Sequence, residues 1–347
     1  MKKVILTLIT ILIAIGAYFI FFSNNSVAPP AEFRLDVTHV SDLDESSKYS
    51  DKRVGGHCYL ASTTMMLKSF DPAIEFWQVL IARGNSTSFT YYFPNGNEST
   101  IKEGLKSEGT NEALKAIRNM GYQPHIRLRS LPIVSRNNAW IKMARELGGE
   151  AKTFWIMSPM DEYKSVIASG IPLVAAGTPC WQDYNVVEGY NQNKLFVVIP
   201  DPDDQGRTDP KLSCSTRAGL QNEVFWATPL DKRVRHEEIL AEMKSNAAGA
   251  PEQMLMYANY LEKGSSIVNF EIERVYLARL LTAKYLQEKG HKELADGYRK
   301  SADLFKKITF APLDANKHKK EIIETIRDIA ENEKSLLNTW SRSPLSS

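Results

Sequence analysis

Gly55-Gly56-His57-Cys58-Tyr59-Leu60-Ala61-Ser62 opens an apolar-rich stretch that runs to residue 70 with helical spacing and stops at Asp71-Pro72. Glycine lets a chain turn tightly and approach a ligand closely. A cysteine at the first turn of a helix has unpaired N–H groups and the helix dipole beside it, and both favour a thiolate. That is a placement suited to a cysteine nucleophile. A small buried residue at a helix start is the other reading of the same placement, and it is a common one for cysteine. The fold turns on which reading of Cys58 holds.

Downstream of this stretch, helical patterns cover 110–120, 137–147 and 159–169, each followed by glycine. The pattern then changes. Residues 172–177 are short and apolar, and 183–190 and 194–199 flank a turn at Asn191-Gln192-Asn193, which reads as a β-hairpin. A further strand is expected over 223–227. Helices first and antiparallel strands afterwards predict an α+β domain over 52–230. From 231 to 347 the chain is helix-rich with few breakers and predicts an all-α region. Residues 272–308 carry a helical hairpin with Tyr285, Gly290, Ala295, Tyr298 and Ala302 at tetratricopeptide-like positions. A stable solenoid needs about three such units, and one is found.

Upstream, Met1-Lys2-Lys3 precedes an unbroken apolar run over 4–22. Two lysines before such a run predict an export signal with its positive end inside. Nineteen residues at about 1.5 Å each approach a hydrocarbon core of roughly 30 Å, which favours an uncleaved signal-anchor over 1–22 to a cleaved signal ending near Ser26-Val27-Ala28. Residues 23–51 read as a polar linker. The expected location is the cell membrane of a bacterial envelope, single-pass, with the domains outside the cytoplasm, or secretion if the signal is cleaved.

Composition narrows the function classes. The chain has 347 residues, 43 Lys+Arg against 41 Asp+Glu, and an apolar fraction of 43%. That is enough for two ordinary domains and excludes wholesale disorder. A net charge of +2 offers no electrostatic footprint for nucleic acid. Three cysteines are too few for a disulfide scaffold or a four-cysteine zinc site. Cys180 and Cys214 either pair, leaving Cys58 as the odd thiol, or stay reduced. Asp201-Pro202-Asp203-Asp204-Gln205-Gly206 superficially suggests a calcium loop, but Leu212 stands where the bidentate Glu belongs. No cofactor or metal is expected.

The segment from Gly56 to Ser62 resembles the His-Cys segment of the N-terminal domain of the butirosin-biosynthesis acyltransferase family. Ser86-Thr87-Ser88-Phe89-Thr90-Tyr91-Tyr92-Phe93 is similar to its aromatic segment, and Gly170-Ile171-Pro172-Leu173-Val174 to its Gly-x-Pro-Val strand. Gly189-Tyr190, the following turn and Asp201-Pro202 resemble a hairpin that this family shares with bacteriocin-leader peptidase-like members of the papain-like superfamily. The resemblance covers about 53–204. It implies a papain-like fold with Cys58 as nucleophile and Asp201 orienting the base. In the family a histidine stands six residues before the glycine of the Gly-Tyr pair; here that position is Asp183. A carboxylate there disfavours a thiolate and has no proton to give at neutral pH. His125, after Gly121 and Pro124, is the substitute imidazole the sequence offers.

Two functions remain. One is a cysteine-dependent peptidase, amidase or acyl-transfer enzyme acting through Cys58. The other is a catalytically degenerate papain-like module that binds a peptide, a cell-wall element or a protein partner.

Overall fold

The computed structural model describes residues 29–41, 45, 48–49, 57–89, 109–129, 139–154, 159–192, 194–201, 209–215, 220, 223–231, 233–263, 269–309 and 315–342. Among them, strand β1 (Phe33–Arg34) precedes helices α1 (Cys58–Lys68), α2 (Phe76–Ala82) and α3 (Thr110–Asn119). Strand β2 (Tyr122–Arg129), helix α4 (Ala139–Glu146), strand β3 (Glu150–Phe154) and helix α5 (Met160–Ala168) follow. The chain continues through β4 (Leu173–Thr178), β5 (Trp181–Tyr190), β6 (Lys194–Val198), β7 (Lys211–Ser215) and β8 (Glu223–Pro229). It ends in four helices: α6 (His236–Glu262), α7 (Asn269–Glu288), α8 (Lys292–Thr309) and α9 (Ala315–Arg342).

The strands form one sheet in the order β3-β2-β8-β4-β5-β6-β7, with β1 added against β5. The hairpin expected around residues 191–193 forms: Tyr190 pairs with Leu195, and Asn191 Oδ1 accepts the Lys194 N–H at 2.9 Å across the turn. Gly189 lies where β1 crosses closely. A Cβ there would sit 2.5 Å from the Phe33 carbonyl oxygen.

The expected fold class is corrected in two respects. Strands and helices interleave, and β2 runs parallel to β3, with α4 as the crossover that a parallel pair requires. The result is a mixed α/β structure rather than helices followed by an antiparallel sheet. The second correction concerns the membrane. The 4–22 run lies outside the described residues, and no helix among the described ones is long and apolar enough to cross a membrane. The longest, α6 and α9, have 27 and 28 residues but carry charged side chains along their length. The expectations of a transmembrane helix and of a single-pass localisation are corrected to that extent: no described helix can serve as the span.

Helix α1 is the centre of the core. Every residue from Tyr59 to Leu67 is buried, so the helix is enclosed on all sides rather than amphipathic. Its hydroxyls do not break it, because Thr63 and Thr64 donate to the carbonyls of Tyr59 and Leu60 at 2.6 and 2.7 Å. It packs on β4, β5 and β8, with α2 and α3 beside it. Helix α5 covers the opposite face. Its Tyr163 meets Trp226 edge-on, whereas the preceding residue, Phe225, meets Tyr184 on the α1 side.

The C-terminal helices are joined to this unit by polar contacts around 84–88. Arg279 of α7, fully buried, pairs with Glu333 of α9 at 2.6 and 2.9 Å and donates to the carbonyls of Ser86 and Ser88. Thr87 donates to the Met243 carbonyl, and Asn246 to that of Gly84. Helices α7 and α8 form the hairpin over 272–308, turning at Gly290 with φ +82°.

Candidate functional site

Cys58 is the first residue of α1 and is half-buried. It lies outside the Cys180–Cys214 disulfide, whose Cα atoms are 5.5 Å apart and which ties the β4–β5 turn to β7. Strand β5 faces the start of α1 with Tyr184, whose ring lies 5.9 Å from that of Tyr59. The Tyr184 hydroxyl is 2.8 Å from Thr110 Oγ1, and Thr110 donates to the Glu223 carboxylate. Burial raises the Tyr184 phenol first, and the Glu223 and Cys58 charges raise it further. Burial also pushes the Glu223 carboxyl up to about 7. This corner favours a neutral phenol and a carboxyl that gives up its proton only at about pH 7. Gly109 makes room for it. With φ +74° it enters α3, and a Cβ on it would lie 2.7 Å from the Tyr184 hydroxyl.

On the other side of the α1 start lies a second buried cluster. Tyr59 donates to Glu112, and Arg83 Nη1 reaches both Tyr59 (2.9 Å) and Glu112 (2.8 Å). Asn85 Nδ2 donates to the second Glu112 oxygen. Burial works against the Arg83 charge, but the Glu112 carboxylate and Tyr59 more than offset it, so Arg83 stays a cation. His57 is buried at the same place. Burial, then the positive charges of Arg83 and Arg274, lower its pKa well below the ordinary value and keep it neutral.

The four residues singled out in the sequence fall in different places. Cys58 is at the helix start as the sequence implies. Asp183 is exposed, and its carboxylate makes no hydrogen bond or ion pair with the described residues; the next residue, Tyr184, takes the inward position. Asp201 is buried beyond the end of β6. His125 lies on the α5 face of the sheet, stacked on Trp226 at 5.4 Å, 2.9 Å from Thr228 Oγ1 and 3.6 Å from Glu150. It is therefore across the sheet from Cys58. Of the remaining histidines, His39 meets the Ile199 carbonyl, His236 meets Tyr285 and His318 meets Glu321.

Sequence reasoning did not find Tyr184, Thr110, Glu223, Arg83 or Glu112. Glu112 sits in the first turn of a helix, where an acid is ordinary, and the others belong to no motif. Among the described residues no group of three or more His, Cys, Asp or Glu side chains is placed to hold a metal. No protein-family model matches this chain, and no curated protein matches it.

Proposed function

We propose that this chain is a catalytically degenerate papain-like module that binds a peptide, a cell-wall element or a protein partner without turning it over. One observation carries the reading: the β5 side chain facing the start of the Cys58 helix is a phenol tied to Thr110, not an imidazole. A thiol nucleophile needs a base that takes its proton and returns it to the leaving group. Asp183 points to solvent, and His125 is on the far face of the sheet. His57 is adjacent to the thiol in sequence, but it is buried, and burial and two arginines lower its pKa well below the ordinary value, which makes it a poor acceptor of the thiol proton.

The pH dependence of iodoacetamide labelling at Cys58, with the disulfide intact, tests this. Labelling is expected to follow an ordinary thiol, half-maximal near about 8.5. Labelling that is already maximal below pH about 6.5, or a burst of acyl-enzyme from an activated ester that Cys58→Ala abolishes, would overturn the reading.

A further inference from the structure

Behind the start of α1, between the sheet unit and the C-terminal helices, lies a cavity of about 200 Å³. Its floor is His57, Tyr59, Arg83, Asn111 and Glu112, all buried. Lys115, Asn246 and Arg274, all half-buried, form the rim. The lining comes from α1, α3, α4, α6 and α7 and from the segment clamped between the two units.

Among the described residues, three cations, Arg83, Lys115 and Arg274, line the cavity against one carboxylate, Glu112. That carboxylate is already used by Arg83, Tyr59 and Asn85. Lys115 is paired outward with Glu242. Among the lining residues, the buried Arg83 Nε donor and Asn85 Oδ1 acceptor have no hydrogen-bond partner among the described residues. The orientation of the Asn85 amide is set by its donation to Glu112. An unpaired donor on a buried cation costs the fold free energy unless something accepts from it. A positive lining that leaves the Arg83 Nε donor and the Asn85 Oδ1 acceptor unused suits a small anionic group that also carries a donor. The volume corresponds to about seven water molecules at about 30 Å³ each, and so to a ligand of amino-acid size.

We propose that this cavity binds an α-amino carboxylate, either a free amino acid or the C-terminal residue of a peptide. The ligand carboxylate accepts from the arginine side, and an N–H of the ligand donates to Asn85 Oδ1. The proposal rests on the binding-module reading and gives that module its ligand class.

Thermal unfolding of the full chain in millimolar excess of individual α-amino acids, their amides and glycyl dipeptides tests it. A ligand that binds only the folded state raises the midpoint with concentration. At least one amino acid or dipeptide is expected to protect, while its C-terminal amide does not. Protection by the dipeptide alone would identify a peptide end as the source. Arg274→Gln, at the rim, is expected to weaken binding about tenfold or more. Arg83→Lys, which keeps the charge but removes Nε, is expected to do the same. Equal protection by acid and amide, no protection by any carboxylate, or unchanged binding in both variants would overturn the proposal. The binding-module reading stands or falls separately on Cys58. An activated thiol in a protein that still binds the carboxylate refutes only that reading, and an ordinary thiol with no carboxylate binding refutes only this site.

Discussion

Glu223 shows how burial decides the chemistry of a single residue. Its carboxyl rises from 4.5 to about 7 because burial penalises the ionised form, against which the Thr110 hydrogen bond works only partly. Between those two values the native state holds a proton that the unfolded chain has released. This contribution to stability is therefore largest in acid, falls as pH rises toward about 7 and stays unfavourable above it. Glu223→Gln removes the ionisation and keeps an acceptor for Thr110. It is expected to raise stability by about 1–3 kcal/mol at pH about 8 and to leave it nearly unchanged at pH about 4, read by urea unfolding. A variant less stable at both values would mean that the carboxylate is ionised in the fold. Nothing local in the sequence marks Glu223, whose environment is supplied by Thr110 and Tyr184 from distant elements.

At the scale of elements, the helices were easier to read than the strands. Helix α1 is continuous because its apolar positions and back-bonded threonines agree with a buried helix. Strands β2 and β3 were missed. β2 alternates apolar Tyr122, Pro124, Ile126 and Leu128 with polar Gln123, His125, Arg127 and Arg129, so the period-2 signal is present; what obscures it is Pro124 inside the run and a second face that carries charged side chains although it is covered. They are tolerated there because Arg127 pairs with Glu162 of α5 and Glu150 of β3 and stacks on Trp226. The Cys180–Cys214 bridge belongs to this scale. It closes a separation of 34 residues and holds β7 to the β4–β5 turn. The double substitution Cys180→Ser, Cys214→Ser is expected to lower stability by about 2–4 kcal/mol through loop entropy, measured as a shift in denaturation midpoint. An unchanged midpoint would show that the rest of β5 to β7 constrains the unfolded chain equally well.

At the scale of the molecule, the helical half is held to the sheet unit by polar anchors within a shared apolar core. Leu277, Leu281, Tyr298 and Trp340 belong to the same buried cluster as the residues of α1 and β5. The Arg279–Glu333 pair at 0% and 2% side-chain exposure sits where α7, α9 and the 86–88 segment meet. Removing one member leaves a buried charge without its partner. Glu333→Ala is expected to cost about 3–5 kcal/mol, and the apolar pair Arg279→Met with Glu333→Leu to recover much of that loss. Unfolding by urea reads both. A loss under about 1 kcal/mol for Glu333→Ala would assign the pair the small weight of a surface bridge.

Local patterning by itself determined the α1 helix with Cys58 at its start, the β5–β6 hairpin and the helical composition of the C-terminal half. These depend on periodicity and turn residues within short windows of chain. Which side chains meet at Cys58 was decided only in three dimensions. Adjacent strand residues point to opposite faces, so a one-residue offset exchanges Asp183 for Tyr184. The β4–β5 register shifts between Ala176 and Thr178, opposite those residues, and that offset depends on the partner strand. Sheet order, which is likewise non-local, put His125 beneath α5 and away from the thiol.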